Sequence, residues 1–300
     1  MNVLVFHDLG NEHYVSAIEA MLGAQGCVMR VLRIRDVFDQ ARYRNPLHAF
    51  DGISHVVFLY DGVGNEMAAH TFLAGYALGR GLRVIIVEFD AHMDLPVNCA
   101  HLGIVLRPEE LEDYLAAEEI RYREEERHTH ARETLLNRGI SVFPENFSII
   151  VAAGDSESAR LFIDAGYDPD MKDARGNPLL TIAVRSQFPE IVGILLEAGA
   201  DVNRLSGDRG YSPLMDAAQK GDLAIVEILL SHGADPNIRS RDGQTALILS
   251  AGRGDVPMCR ALVKRGADPN VSDKLGMSAS GYAKLFGNGE LMELFNPGSS

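Results

Sequence analysis

One short phrase recurs four times in the second half of this 300-residue chain: Gly166-Tyr167-Asp168-Pro169-Asp170, Gly199-Ala200-Asp201-Val202-Asn203, Gly233-Ala234-Asp235-Pro236-Asn237 and Gly266-Ala267-Asp268-Pro269-Asn270. The opening glycines are 33, 34 and 33 residues apart. A fixed period of that length specifies stacked supersecondary units, because one such unit cannot bury its apolar face alone. The product is a solenoid, which displays an extended surface and commonly holds a partner on it.

Each phrase follows an apolar helical stretch. Ile191, Val192, Ile194, Leu195 and Leu196 precede the second copy, and Ile225, Val226, Ile228, Leu229 and Leu230 precede the third. Those spacings keep one helix face apolar. The glycine stops the helix, since the residue past a helix end often adopts a left-handed backbone. Asp-Pro-Asn then turns the chain. Ten or eleven residues on comes a second glycine, at Gly176, Gly210, Gly243 and Gly276. Short helices rich in Ala and Ser follow, as in Ser212-Pro213-Leu214-Met215-Asp216-Ala217-Ala218, and their small residues allow close helix approach.

This unit resembles the ankyrin repeat. The matching features are the Gly-x-Thr/Ser-Pro/Ala-Leu start, the Ala-Ala pair, the Gly-Asp linker (Gly221-Asp222, Gly254-Asp255), the Leu-Leu pair and the Gly-Ala-Asp-x-Asn close, over about 144–295. About five units are expected in 144–296. The outer ones are atypical, as caps that cover the open ends of a stack should be.

The composition bounds the rest. A formal net charge of −14 argues against a general nucleic-acid binder and against an anionic membrane surface. No run of 18 apolar residues occurs, and the start of the chain lacks the basic and apolar segments of a secretion signal. Cys27, Cys99 and Cys259 are scattered, which fits a reducing cytoplasm and gives no metal-ligand spacing. Nothing points to a metal or a cofactor.

Residues 1–107 read as a separate α/β domain. Apolar runs at Val3–Phe6, Val28–Ile34, His55–Tyr60, Arg83–Phe89 and Gly103–Leu106 alternate with helical patterns, one of them over Glu66–Leu78. That alternation predicts a parallel five-stranded sheet covered by helices on both faces. Ligands of such sheets bind beyond the carboxyl ends of the strands. Those ends carry His7-Asp8, Arg35-Asp36, Tyr60-Asp61 and Glu88-Phe89-Asp90, and Gly10 sits before the first helix where backbone N–H groups suit a phosphate. Polar residues are also ordinary at strand ends.

The segments Val56-Val57-Phe58-Leu59-Tyr60-Asp61 and Leu73-Ala74-Gly75-Tyr76-Ala77, with Val84-Ile85-Ile86-Val87, resemble nucleoside 2-deoxyribosyltransferases and the related Toll/interleukin-1 receptor (TIR) domains. The resemblance implies a flavodoxin-like sheet and chemistry at an N-glycosidic bond of a deoxynucleoside or NAD. One position departs from the family motif. Leu73 stands where the family places a glutamate, and leucine cannot stabilise or capture a sugar carbon as positive charge develops on it. Asp61, Glu66 and His70 are the substitutes to weigh. Glu66 lies about 10 Å away along the helix axis, His70 is no carboxylate, and Asp61 and Glu66 suit a helix N-terminus in any case. A degenerate, non-catalytic domain fits these residues best, and such a domain can keep nucleotide affinity.

Residues 108–143 read as a charged helical connector that caps the solenoid. Pro108 and the following acids suit a helix start. Leu111, Tyr114, Leu115 and Ile120 are candidates to pack on the sheet, and Arg121–Arg127 reads as a solvated face.

In ankyrin arrays partners usually contact the turn tips and first helices. By register those positions include Arg175, Asn177, Arg185, Arg209, Tyr211, Gln219, Lys220, Arg241, Gln244 and Arg253. Seven of these ten are basic or aromatic in an acidic protein, which points to a protein partner with an acidic or phosphorylated patch. Ordinary solubilising surface is the plain alternative. Three functions follow: a cytoplasmic binding protein with a regulatory or assembly domain, an enzyme acting at an N-glycosidic bond, or a sensor that binds a nucleoside or nucleotide without turnover. TIR-like domains often self-associate, so the resemblance also allows a homo-oligomer.

Overall fold

The computed structural model of the chain describes residues 1–7, 12–24, 27–37, 49–60, 67–88 and 103–296. They divide into two compact units, Met1–Glu126 and Arg127–Ser300.

The first unit is built on strands β1 (Asn2–His7), β2 (Val28–Arg33), β3 (His55–Tyr60), β4 (Arg83–Glu88) and β5 (Ile104–Leu106). All pair in parallel, in the order β2-β1-β3-β4-β5. Strand side chains alternate between faces, and that period sorts one apolar run into two cores. Leu4, Phe6, Val56, Phe58, Val84 and Ile86 meet Leu73, Ala74 and Ala77 of α3 (Met67–Gly79) together with Ile34 and Val37 of α2 (Ile34–Val37). Val3, Val5, Val57, Leu59, Ile85 and Val87 meet Val15, Ile18 and Leu22 of α1 (Glu12–Ala24) and Leu111 and Leu115 of α4 (Pro108–Asn137).

The connector differs from its reading in one respect. It is the helix α4, as read, but Ile120 points out at 62% exposure while Glu118 is fully buried. The geometry explains this. Positions 111, 115, 118 and 122 follow helical spacing and share one face, whereas 120 lies off it. Glu118 is compensated at the amino ends of β3 and β4. It takes a hydrogen bond from Arg83, lies 3.2 Å from His55 Nε2, and pairs with Arg121 at 3.2 Å. His55 Nδ1 lies 2.9 Å from Ser54 Oγ. Burial, then the Arg83 charge, push the His55 pKa down to about 4, so the ring is neutral and its Nε2–H donates to Glu118.

The second unit stacks five helix pairs: α5 (Pro144–Ala153) with α6 (Ser156–Asp164), α7 (Leu179–Arg185) with α8 (Pro189–Glu197), α9 (Pro213–Lys220) with α10 (Leu223–Ser231), α11 (Ala246–Gly252) with α12 (Val256–Lys264), and α13 (Ala279–Leu285) with α14 (Gly289–Phe295). First helices pack on first helices and second on second, giving two layers around one continuous core. Ala131 and Leu135, near the end of α4, are buried, and Leu135 joins this core beside Phe147 and Phe162.

The recurring phrase has a division of labour. Its Asp accepts a hydrogen bond from the amide two residues on, as Asp201 does from Asn203 and Asp235 from Asn237 (both 2.9 Å). Its last residue reaches the next repeat: Asp170 accepts from the Asp201 amide (3.0 Å), Asn203 from Asp235 (2.9 Å) and Asn237 from Asp268 (2.8 Å). The helix-stopping glycines Gly166, Gly199, Gly233 and Gly266 have φ between 84° and 92°, a conformation that disfavours other residues.

Candidate protein-interaction surface

The parallel sheet brings His7, Tyr60 and Glu88 to its carboxyl edge, where β1, β3 and β4 end. Of these His7 is buried at 6% exposure. His70 lies on α3. Asp8, Gly10, Asp61, Glu66 and Asp90 lie outside the described residues. Leu73 has no exposed surface and packs inside the apolar core under α3. Among the described residues no group of His, Cys, Asp and Glu side chains is arranged to hold a metal ion, and no helix is long and apolar enough to cross a membrane.

The repeat residues fall into two sets. Asn177 and Tyr211 are buried and serve the turns. Asn177 Nδ2 donates to Asp173 (3.2 Å), and Tyr211 Oη donates to Gln244 Oε1 of the next repeat (2.8 Å). The others line the tips and the ends of the first helices. Arg175, Arg209, Lys220, Arg241 and Arg253 are exposed. Arg209 stacks on Tyr211 with Cζ 4.7 Å from the ring centre, and its Nη1 donates to Gln219 Oε1 at 2.9 Å. Arg241 donates to the carbonyls of Asp208 (2.7 Å) and Gly207 (2.9 Å), and Arg253 to that of Gln219. Arg241 and Arg253 thus cross from one repeat to the preceding one while keeping their charge at the surface.

Two acids missed as organisers in the sequence anchor this face. Arg185 grips Asp208 through two hydrogen bonds of 2.8 and 2.9 Å, which holds the Asp208 carboxyl well below the usual carboxylate range. Its Nε also lies 3.1 Å from Asp216 Oδ2, an ion pair without hydrogen-bond geometry. Asp216 is 2% exposed, and burial raises its pKa against the pull of Arg185 and Arg209. The signal was present in register: Asp216 occupies the place of Leu249 in the next repeat, 33 residues on. A carboxylate at an apolar position needs a cation beside it.

Comparison with known proteins agrees with this architecture. The family description "Ankyrin repeats (3 copies)" matches residues 147–240, and "Ankyrin repeats (many copies)" matches 229–280. An ankyrin repeat-containing protein of Treponema pallidum (strain Nichols) is 41% identical over 296 residues, covering 98% of this chain and 99% of that one. The chain therefore belongs to the ankyrin repeat-containing proteins. Shorter likenesses include human 2-5A-dependent ribonuclease, 45% identical over 74 residues (25% of this chain, 10% of that one), and zygote-specific protein 3 of Chlamydomonas reinhardtii, 39% over 101 residues (32% and 27%). Ankyrin repeats point to protein–protein interaction, and the two-layered stack supplies the surface for it.

Proposed function

We propose that the chain is a binding scaffold whose tip and first-helix face docks an acidic segment of a partner protein. The observation that carries this is the recurrence of exposed cations, Arg175, Arg209, Lys220 and Arg253, at repeat positions that face outward, in a protein of net charge −14. Two of these are pre-ordered, Arg209 by Tyr211 and Gln219 and Arg253 by the Gln219 carbonyl, which lowers the entropy lost on docking. The test is the affinity of the full chain for a fluorescent Glu-rich peptide. Arg175→Glu, Arg209→Glu and Lys220→Glu together should weaken it at least tenfold without changing the unfolding midpoint by more than a few degrees. Unchanged affinity contradicts the reading.

In this reading the N-terminal domain is a TIR- or deoxyribosyltransferase-related regulatory or assembly module without that family's chemistry. Strand order 2-1-3-4-5 is the flavodoxin-like order, which supports the relationship. The burial of Leu73 supports the loss of chemistry, because a carboxylate placed there would enter an apolar core. The carboxyl edge with His7, Tyr60 and Glu88 favours a second reading, a nucleotide site without turnover. Thermal unfolding of the full chain with NAD, ADP-ribose, nucleosides and nucleotides tests it. A true ligand at 100 times its Kd adds about 2.7 kcal/mol to the stability of the unit that binds it. No shift in any transition removes this second reading.

A further inference from the structure

The register of the cationic face runs on into the last repeat, and there its chemistry changes. The Arg175 and Arg209 position continues to Asp242 and Leu275, that of Gln219 to Gly252 and Leu285, and that of Lys220 and Arg253 to Phe286. Leu275 is 85% exposed, Leu285 66% and Phe286 60%. Tyr282, at the register position of Asp216, stacks on Phe286 with ring centres 6.0 Å apart and planes at 22°. The end of a solenoid exposes side chains that a missing neighbour would cover, as the half-buried counterpart Gln219 shows for Leu285, but Leu275 and Phe286 are not of that kind. Their counterparts Arg209, Lys220 and Arg253 are exposed in repeats that have neighbours on both sides. Large apolar side chains gathered at such positions mark a binding surface.

We propose that the docking face is bipartite, cationic along α7, α9 and α11 and apolar at α13. It takes one extended segment of a protein partner, whose carboxylates meet Arg209, Lys220 and Arg253 and whose bulky apolar side chains meet Leu275, Leu285 and Phe286. This rests on the reading of that face as the docking surface. Charge complementarity selects the acidic part. Geometry sets the spacing: first helices of successive repeats pack roughly 8–10 Å apart, so α9 and α13 are separated by about 18 Å, a span an extended chain covers in about five or six residues.

The test is a peptide array probed with the full chain. Each peptide carries a Glu-Glu-Glu triplet and a Leu-Phe pair in either order, separated by two to twelve Ser/Gly residues, with a triplet-only peptide as reference. Binding should peak near a five- or six-residue separation. Leu285→Ser with Phe286→Ser should remove that peak, a loss of tenfold or more, while the triplet-only signal stays. Phe286→Leu should retain the peak, and unfolding midpoints check that every variant folds. Equal binding with and without the Leu-Phe pair, or indifference to the serine variants, overturns the bipartite face and leaves the acidic docking reading standing. Failure of the wild-type chain to bind even the triplet-only peptide overturns both. Sedimentation supplies the remaining arm: a dimer that the serine variants convert to monomer makes the patch a self-interface and overturns the proposal.

Discussion

Gln187 shows how much one position can reveal. Gly154, Gly221, Gly254 and Gly287 close the first helices of their repeats with φ between 63° and 83°, and Gln187 holds the same place with φ 59°. Its side chain gains only a 3.5 Å contact with Asp222. A left-handed backbone costs an L residue about 1–2 kcal/mol, so Gln187→Gly should stabilise the repeat unit by about 1 kcal/mol, read from chemical denaturation. His55 makes a prediction of opposite kind. Its folded pKa of about 4 lies below the ordinary 6.5, so the unfolded chain binds the extra proton between those values. The stability of the first unit is unaffected above pH 6.5 and falls as pH drops toward 4, by on the order of 3 kcal/mol at most. His55→Gln should flatten that slope. An unchanged slope assigns the acid sensitivity to other groups.

At the scale of elements, the second helices begin on a recurrent cap. Asp155, Asp222, Asp255 and Asn288 each accept a hydrogen bond from the amide three residues on, whereas Phe188 opens α8 without one. Asp222→Ala should cost about 1 kcal/mol, seen as a lowered denaturation midpoint, and Phe188→Ala should not act through a cap. The repeats were legible because a 33-residue period restates each helix, stop and turn several times. The sheet was legible because strands covered on both faces are continuously apolar, and His55–Tyr60 came out with the bounds read from the sequence. Glu118 was illegible for a physical reason. Its partners His55 and Arg83 are 63 and 35 residues away, so nothing local distinguished this fully buried glutamate from the other acids of the helix. The Arg185–Asp208–Asp216 cluster was hidden in the same way until the register was laid side by side.

At the scale of the whole molecule, an acidic chain keeps an exposed cationic row on one repeat face and places the exposed apolar side chains Leu275, Leu285 and Phe286 at the end of that row. Three of the exposed cations are tied to the stack: Arg241 and Arg253 by backbone carbonyls, Arg209 by Tyr211 and Gln219. Such an arrangement binds with little loss of side-chain freedom, and its affinity should fall with salt because the contacts are exposed. The most direct measurement is arginine footprinting by mass spectrometry. The full chain is treated with an arginine-selective reagent, with and without a saturating Glu-rich peptide. Protection should appear at Arg175, Arg209 and Arg253 and be absent at two other exposed arginines, Arg80 of the first unit and Arg160 on α6. Protection confined to arginines of the first unit, or none at the repeat tips, would contradict the assignment of binding to this face.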